Sequence, residues 1–127
     1  MKFEVAGTGA GTTCPTIASA KLRLTVGNAT DDNSPRGGEF RRAADTPAWT
    51  EGGVNWGNAP AAISTPMSSM TTAVALSTAY LIDVTPLISG NGSITIRASG
   101  LSSDGARYFS KEGGTSTQAP ELQITCG

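Results

Sequence analysis

The residues best suited to do chemistry lie in the segment Arg107-Tyr108-Phe109-Ser110-Lys111-Glu112. Side chains alternate along an extended strand, so Arg107, Phe109 and Lys111 share one face, opposite Tyr108, Ser110 and Glu112. A guanidinium fork grips a carboxylate at two points, and an ammonium adds a compact charge. With the Phe109 ring between them, this pair would suit an acidic polysaccharide such as a uronate polymer. A solvated strand face also accounts for the same residues. Trp49 and Trp56, the only tryptophans, each offer a flat indole on which a sugar ring can stack its apolar face. Either could instead plug the end of a sandwich. Trp56 alternates with Val54 and reads as core, whereas Trp49 stays open between the two roles. Arg36 is a further cation in a turn-rich stretch. Arg41 and Arg42 are adjacent, so in a strand they point to opposite faces and cannot grip one ligand together.

Asp31-Asp32-Asn33 and Asp104 supply hard oxygen ligands in turn-rich sequence. Calcium is the cofactor such oxygens would suit, with Asp31, Asp32 and Asp104 as its carboxylate ligands. No EF-hand spacing is present, and Asp and Asn also serve turns for backbone reasons of their own. Asp83, in Ile82-Asp83-Val84-Thr85-Pro86, reads as a structural acceptor for backbone or hydroxyl hydrogen bonds at a corner. Glu51 with Glu112 or Asp104 could form a glycosidase-like carboxylate pair. The chain holds ten carboxylates, however, and a sandwich brings some pair of them together by chance. Histidine is absent, which removes the commonest general acid/base near neutral pH and the Ser-His-Asp arrangement. The expectation is a protein that is not an enzyme.

Cys14 and Cys126 enclose almost the entire chain. They read as one structural disulfide, a feature of secreted or cell-surface proteins; two unrelated buried thiols are the alternative. In the chain-entropy account, closing a loop of about 100 residues stabilises by roughly 4–5 kcal/mol. Two cysteines without histidine fall short of the four soft ligands of a structural zinc site. Asn28-Ala29-Thr30 and Asn91-Gly92-Ser93 fit the glycosylation triplet, which matters only in a eukaryotic secretory route.

The elements that must position these side chains follow a period of two. Phe3 and Val5 alternate with Lys2 and Glu4. Leu22, Leu24 and Val26 alternate with Lys21, Arg23 and Thr25. Tyr80, Ile82 and Val84 alternate with Ala79, Leu81 and Asp83, and Ile94 and Ile96 with Ser93, Thr95 and Arg97. Short strands are also predicted around Phe40, over 106–110, and at Leu122 and Ile124, which puts Cys126 on their inward side. Residues 68–76 carry threonines and a valine that favour a strand over a helix. Thr85-Pro86-Leu87-Ile88 suggests a short helical turn. Stretches 7–13, 27–38, 52–60 and 113–119 are rich in turn residues. Eight or nine short strands predict an all-β, antiparallel β-sandwich, jelly-roll-like, with one disulfide, as a single domain over residues 1–127. The strand order is not readable from this pattern.

The 127 residues carry a formal charge of −1 with scattered basic residues, so no nucleic-acid partner is indicated. No apolar run approaches the roughly 20 residues that cross a bilayer, and Met1–Val5 lacks the apolar middle region of a signal peptide. The chain reads as a module cut from a longer secreted protein.

Several stretches carry a family resemblance. Ser19-Ala20-Lys21-Leu22-Arg23-Leu24 is followed by Thr50-Glu51 and by Val54-Asn55-Trp56-Gly57-Asn58-Ala59-Pro60. Ile82-Asp83-Val84-Thr85-Pro86-Leu87 and Ser102-Ser103-Asp104-Gly105-Ala106-Arg107-Tyr108-Phe109-Ser110-Lys111-Glu112 come later. Their order and spacing, over about residues 3 to 125, resemble the DNRLRE domains, which overlap the family-96 type of carbohydrate-binding module. The resemblance implies a secreted β-sandwich, found beside polysaccharide lyases or in large surface proteins, that binds polysaccharide in some members. Such domains begin with one or two strands before a segment resembling 1–6. Here those strands are missing, so either an open sheet edge or groove is filled by another copy or a neighbouring segment, or the remaining strands close up without them.

Two functions remain open at this point. One is a non-catalytic extracellular polysaccharide-binding module using Arg107, Phe109, Lys111 and Trp49. The other is a structural or assembly module of a surface protein, adhesin or fibre, whose partner is another protein strand.

Overall fold

Alternation of apolar and polar residues builds the strands, and the burial of one face of each pairs them into two layers. The structure, a computed structural model, describes residues 1–5, 16–44, 49–50, 52–55, 57–88 and 92–127. Seven strands run through the described residues: β1 (Lys2–Val5), β2 (Ile17–Thr25), β3 (Gly38–Ala43), β4 (Ala62–Met70), β5 (Ala79–Asp83), β6 (Gly92–Ser99) and β7 (Glu121–Cys126). A four-stranded sheet has the order β1-β6-β3-β4 and a three-stranded sheet the order β5-β2-β7. Every pairing is antiparallel. The architecture is the predicted all-β antiparallel sandwich.

β2 shows how the sequence produces the layers. Ala20, Leu22 and Leu24 point inward and are buried. Lys21 and Arg23 point outward, where they pair across the sheet with Asp83 at 3.3 Å and Glu121 at 3.5 Å. The core joins Leu22 and Leu24 to Phe40 of β3, Ile82 of β5, Ile94 and Ile96 of β6, and Val84, Leu87 and Ile88 after β5. Burying each such large side chain is worth roughly 1.5–3 kcal/mol. The predicted turn at Thr85 is a 3-10 turn over Thr85–Leu87 that drops Leu87 into this core.

Two elements depart from the sequence expectation. The strand expected over 68–76 lies instead at Ala62–Met70. β4 is an edge strand whose residues are mostly exposed, with Ile63 and Met67 both 44% exposed, so no inward alternation marks it. Its Pro66 is tolerated because an edge strand has a side that needs no donor. Residues 106–110 form no strand; Tyr108 makes a single bridge to Val26, flanked by Gly27 N–H donating to Arg107 O and Phe109 N–H donating to Thr25 O, both 2.9 Å. Among the described residues there are thus seven strands rather than eight or nine.

The stacking of the sheets follows from one end. β4 lies against β5 and against the 3-10 turn. At the other end, Met1 and Phe3 of the β1 region share a cleft with Ser110, Lys111, Glu112 and Pro120. Cys126 ends β7 opposite Ile17 and is not a free thiol. Cys14, its expected partner, lies outside the described residues.

Candidate functional site

Thr95 and Arg97 alternate with the buried Ile94 and Ile96, so they stand on the outer face of β6. Trp49 and Pro60, which follow β3 in the chain, lie over that face. Trp49 Nε1–H donates to Thr95 Oγ1 at 2.9 Å, and an Arg97 guanidinium N–H donates to Pro60 O at 2.9 Å. These two bonds hold Trp49 and Pro60 to one strand. Within the loop, Asn55 Oδ1 accepts from Gly57 N–H and Asn58 N–H, while Asn58 Nδ2–H donates to Gly53 O. Such side-chain-to-backbone bonds fix the loop locally. The result is a preformed surface whose ordering does not have to be supplied on binding.

Trp49 forms the shared wall of two adjoining depressions. One, of about 240 Å³, is lined by Trp49, Val54, Ala59, Pro60 and Arg97 among others. The other, of about 380 Å³, brings Trp49 and Val54 together with Met1, Phe3, Lys111 and Glu112. Lys111 Nζ lies 3.7 Å from Glu112 Oε1, and both side chains are well exposed. An indole wall with a guanidinium on one side and an ammonium on the other can stack a sugar ring and engage acidic substituents.

Of the residues singled out in the sequence, the structure brings Trp49 and Lys111 together. Arg107 lines neither depression. Its guanidinium donates to Asp31 Oδ2 at 2.9 Å and lies 3.9 Å from Asp32 Oδ1. Phe109 is half-buried against the 113–118 turn, where a side chain at Gly114 would meet its ring. Arg41 and Arg97 face each other across β3 and β6, with Arg41 held by Glu39 and Ser64 O. Trp56 and Glu51 lie outside the described residues.

Of the candidate calcium ligands, the Asp31 and Asp32 carboxylates serve other partners. Asp32 Oδ2 accepts from Ala29 N–H at 3.0 Å and tucks over Gly27, where a Cβ would stand 2.0 Å from it. Arg107 sits beside both Asp31 and Asp32, and the Asp104 backbone carbonyl accepts from Ser34 Oγ–H. Among the described residues, no group of three or more His, Cys, Asp or Glu side chains is placed to hold a metal ion. Asp83 takes the structural role expected of it. Its Oδ1 accepts from Thr85 N–H at 3.0 Å and Thr85 Oγ1–H at 2.6 Å, and these bonds, with Lys21 beside it, hold its pKa down at about 2.

Arg97, Thr95 and Pro60 belong to the site and went unmarked in the sequence. Thr95 and Arg97 were visible as the polar half of an alternating strand. Nothing local to them signals Trp49, which is 46 residues away in the chain.

The sequence model of carbohydrate-binding module family 96 matches residues 1–126. Comparison with curated proteins gave no match. Among the described residues, no helix is long and apolar enough to cross a membrane.

Proposed function

The chain belongs to carbohydrate-binding module family 96, and from that premise we propose that it is a non-catalytic module that holds polysaccharide at the Trp49 surface. The ring of one sugar packs on the indole, with Val54 and Pro60 extending the apolar floor. Arg97 and Lys111 flank it and favour an acidic chain, since carboxylate groups would meet a cation on either side. Secretion or display at the cell surface fits such a ligand. The observation that carries this reading is the pinning of Trp49 by its own N–H to Thr95, which presents the indole without leaving its polar edge unpaired.

Calorimetry against a polyuronate and a neutral glucan tests it. Saturable binding of the polyuronate is expected, weakened at least tenfold by Trp49→Ala and weakened as salt rises. Arg107→Ala, outside both depressions, should leave affinity unchanged. Equal loss from Arg107→Ala and none from Trp49→Ala would move the site away from this surface.

A further inference from the structure

The two depressions beside Trp49 adjoin, and both open to solvent. They share Trp49 and Val54, and beyond that common wall their chemistry differs. The smaller, of about 240 Å³, adds Thr95 and the Arg97 guanidinium. That guanidinium is tethered by its bond to Pro60 O at 2.9 Å. The larger, of about 380 Å³, adds Ser110, Lys111 and Glu112. The Lys111 and Glu112 side chains are 71% and 69% exposed, so they project into solvent at its rim. The two volumes straddle the low end, about 300 Å³, of pockets that enclose a drug-sized ligand. Each depression therefore suits one sugar unit rather than an oligosaccharide.

We infer that the ligand is the interior of an acidic chain held over three consecutive sugars, an inference that rests on the polysaccharide reading of this surface. The two glycosidic bonds of an interior sugar leave from opposite ends of its ring. A ring stacked on the indole thus sends one neighbour into each depression. On the smaller side a carboxylate meets the Arg97 fork, which presents several N–H donors in one plane. On the larger side Lys111 donates to a carboxylate and Glu112 accepts from a hydroxyl, the two kinds of group that a uronate carries. Neither side requires a chain end, because the polymer can run on into solvent from both. Once the middle ring is seated, its neighbours arrive at high effective concentration, so the three positions reinforce one another.

Calorimetry on the full chain tests the span, with oligouronates from the monosaccharide to the hexasaccharide. Affinity should rise about tenfold from disaccharide to trisaccharide, and by less than about threefold from there to the hexasaccharide. Lys111→Gln, at an exposed position, should erase that rise while leaving disaccharide affinity within about twofold. Polyuronate fractions of increasing length form the second arm. The number of modules bound per polymer should grow in proportion to its length, since interior sites multiply and ends do not. One module per polymer at every length overturns the interior site. A disaccharide that binds as tightly as the hexasaccharide, or a rise that survives Lys111→Gln, overturns the three-sugar span. In those cases a loss of binding in Trp49→Ala keeps the surface itself in place. Absence of binding by every oligomer and by the polymer removes the surface and the span together.

Discussion

The two ends of the sandwich are built from the same kinds of strand yet finished differently. At the β4/β5 end, consecutive strands are joined by residues 71–78, and Ser77 N–H and Val26 N–H bond across to Gly27 O and Thr78 O. The 3-10 turn then caps the layer gap with Leu87, 2% exposed. At the β1/β7 end the two edge strands come from opposite ends of the described chain. A loop and the 110–120 turn approach them, but the inward side chains stay half-buried. Local connection closes one end almost without cost, because short loops lose little entropy. The other end depends on distant segments, and it is there that the Trp49 surface lies.

Core truncation should separate the two ends most clearly. Phe40→Ala, in the closed interior at 0% exposure, should cost about 3–5 kcal/mol in denaturant unfolding. Phe3→Ala, in the open cleft, should cost less than half of that, since part of its surface is already in water. Equal losses would mean that the β1 end is as tightly packed as the centre. Next in size is the covalent restraint. Thiol titration of the unreduced, denatured protein should find none, and Cys126→Ser should cost about 2–4 kcal/mol. Two reactive thiols per chain would leave the open end held by packing alone.

Tyr108 is half-buried beside β2. Its hydroxyl donates to Gly37 O at 2.6 Å, and its bridge to Val26 continues the β7 position along β2. Burial, with Tyr80 nearby adding to it, pushes the phenol up to about 12. As pH climbs past about 10, the unfolded chain ionises while the folded one does not, so stability contributed below that pH is lost between about 10 and about 12. Tyr108→Phe should cost about 1 kcal/mol at neutral pH and flatten that alkaline loss. An ultraviolet titration showing two ordinary tyrosines would refute it.

How far the sequence carried depended on whether a feature was local. Alternation at Leu22, Leu24, Ile82, Ile94 and Ile96 revealed β2, β5 and β6 and their buried faces, because period two is imprinted wherever one face meets a core. β4 escaped because its edge position exposes both faces, so Ile63 and Met67 carry no inward pattern. Asp83 was legible because its partner is two residues away, whereas Trp49 and Thr95 meet only through the loop's fold. Parity placed Arg107 and Lys111 on one face, and that argument required an extended strand. The chain there makes one bridge and turns, so Arg107 goes to Asp31 while Lys111 reaches the cleft.

The smallest expected effect probes the closed end at its corner. The carboxylate of Asp83 is exposed, so solvent screening keeps its contribution small despite its low pKa. The sign follows from the shift. With the folded value near 2 and the unfolded one near 4, the folded state binds the proton less readily. Its stabilising effect is therefore complete above about pH 4 and disappears as pH falls through about 2. Asp83→Asn should lower the thermal midpoint slightly at pH 7 and by nothing at pH 2, so the two curves converge on acidification. Thr85→Val removes the larger cause, the hydroxyl bond, and should raise the Asp83 midpoint more than Lys21→Met does, as read by carboxyl NMR titration. The reverse order would make the cross-strand lysine, rather than the turn after β5, the group that fastens this corner.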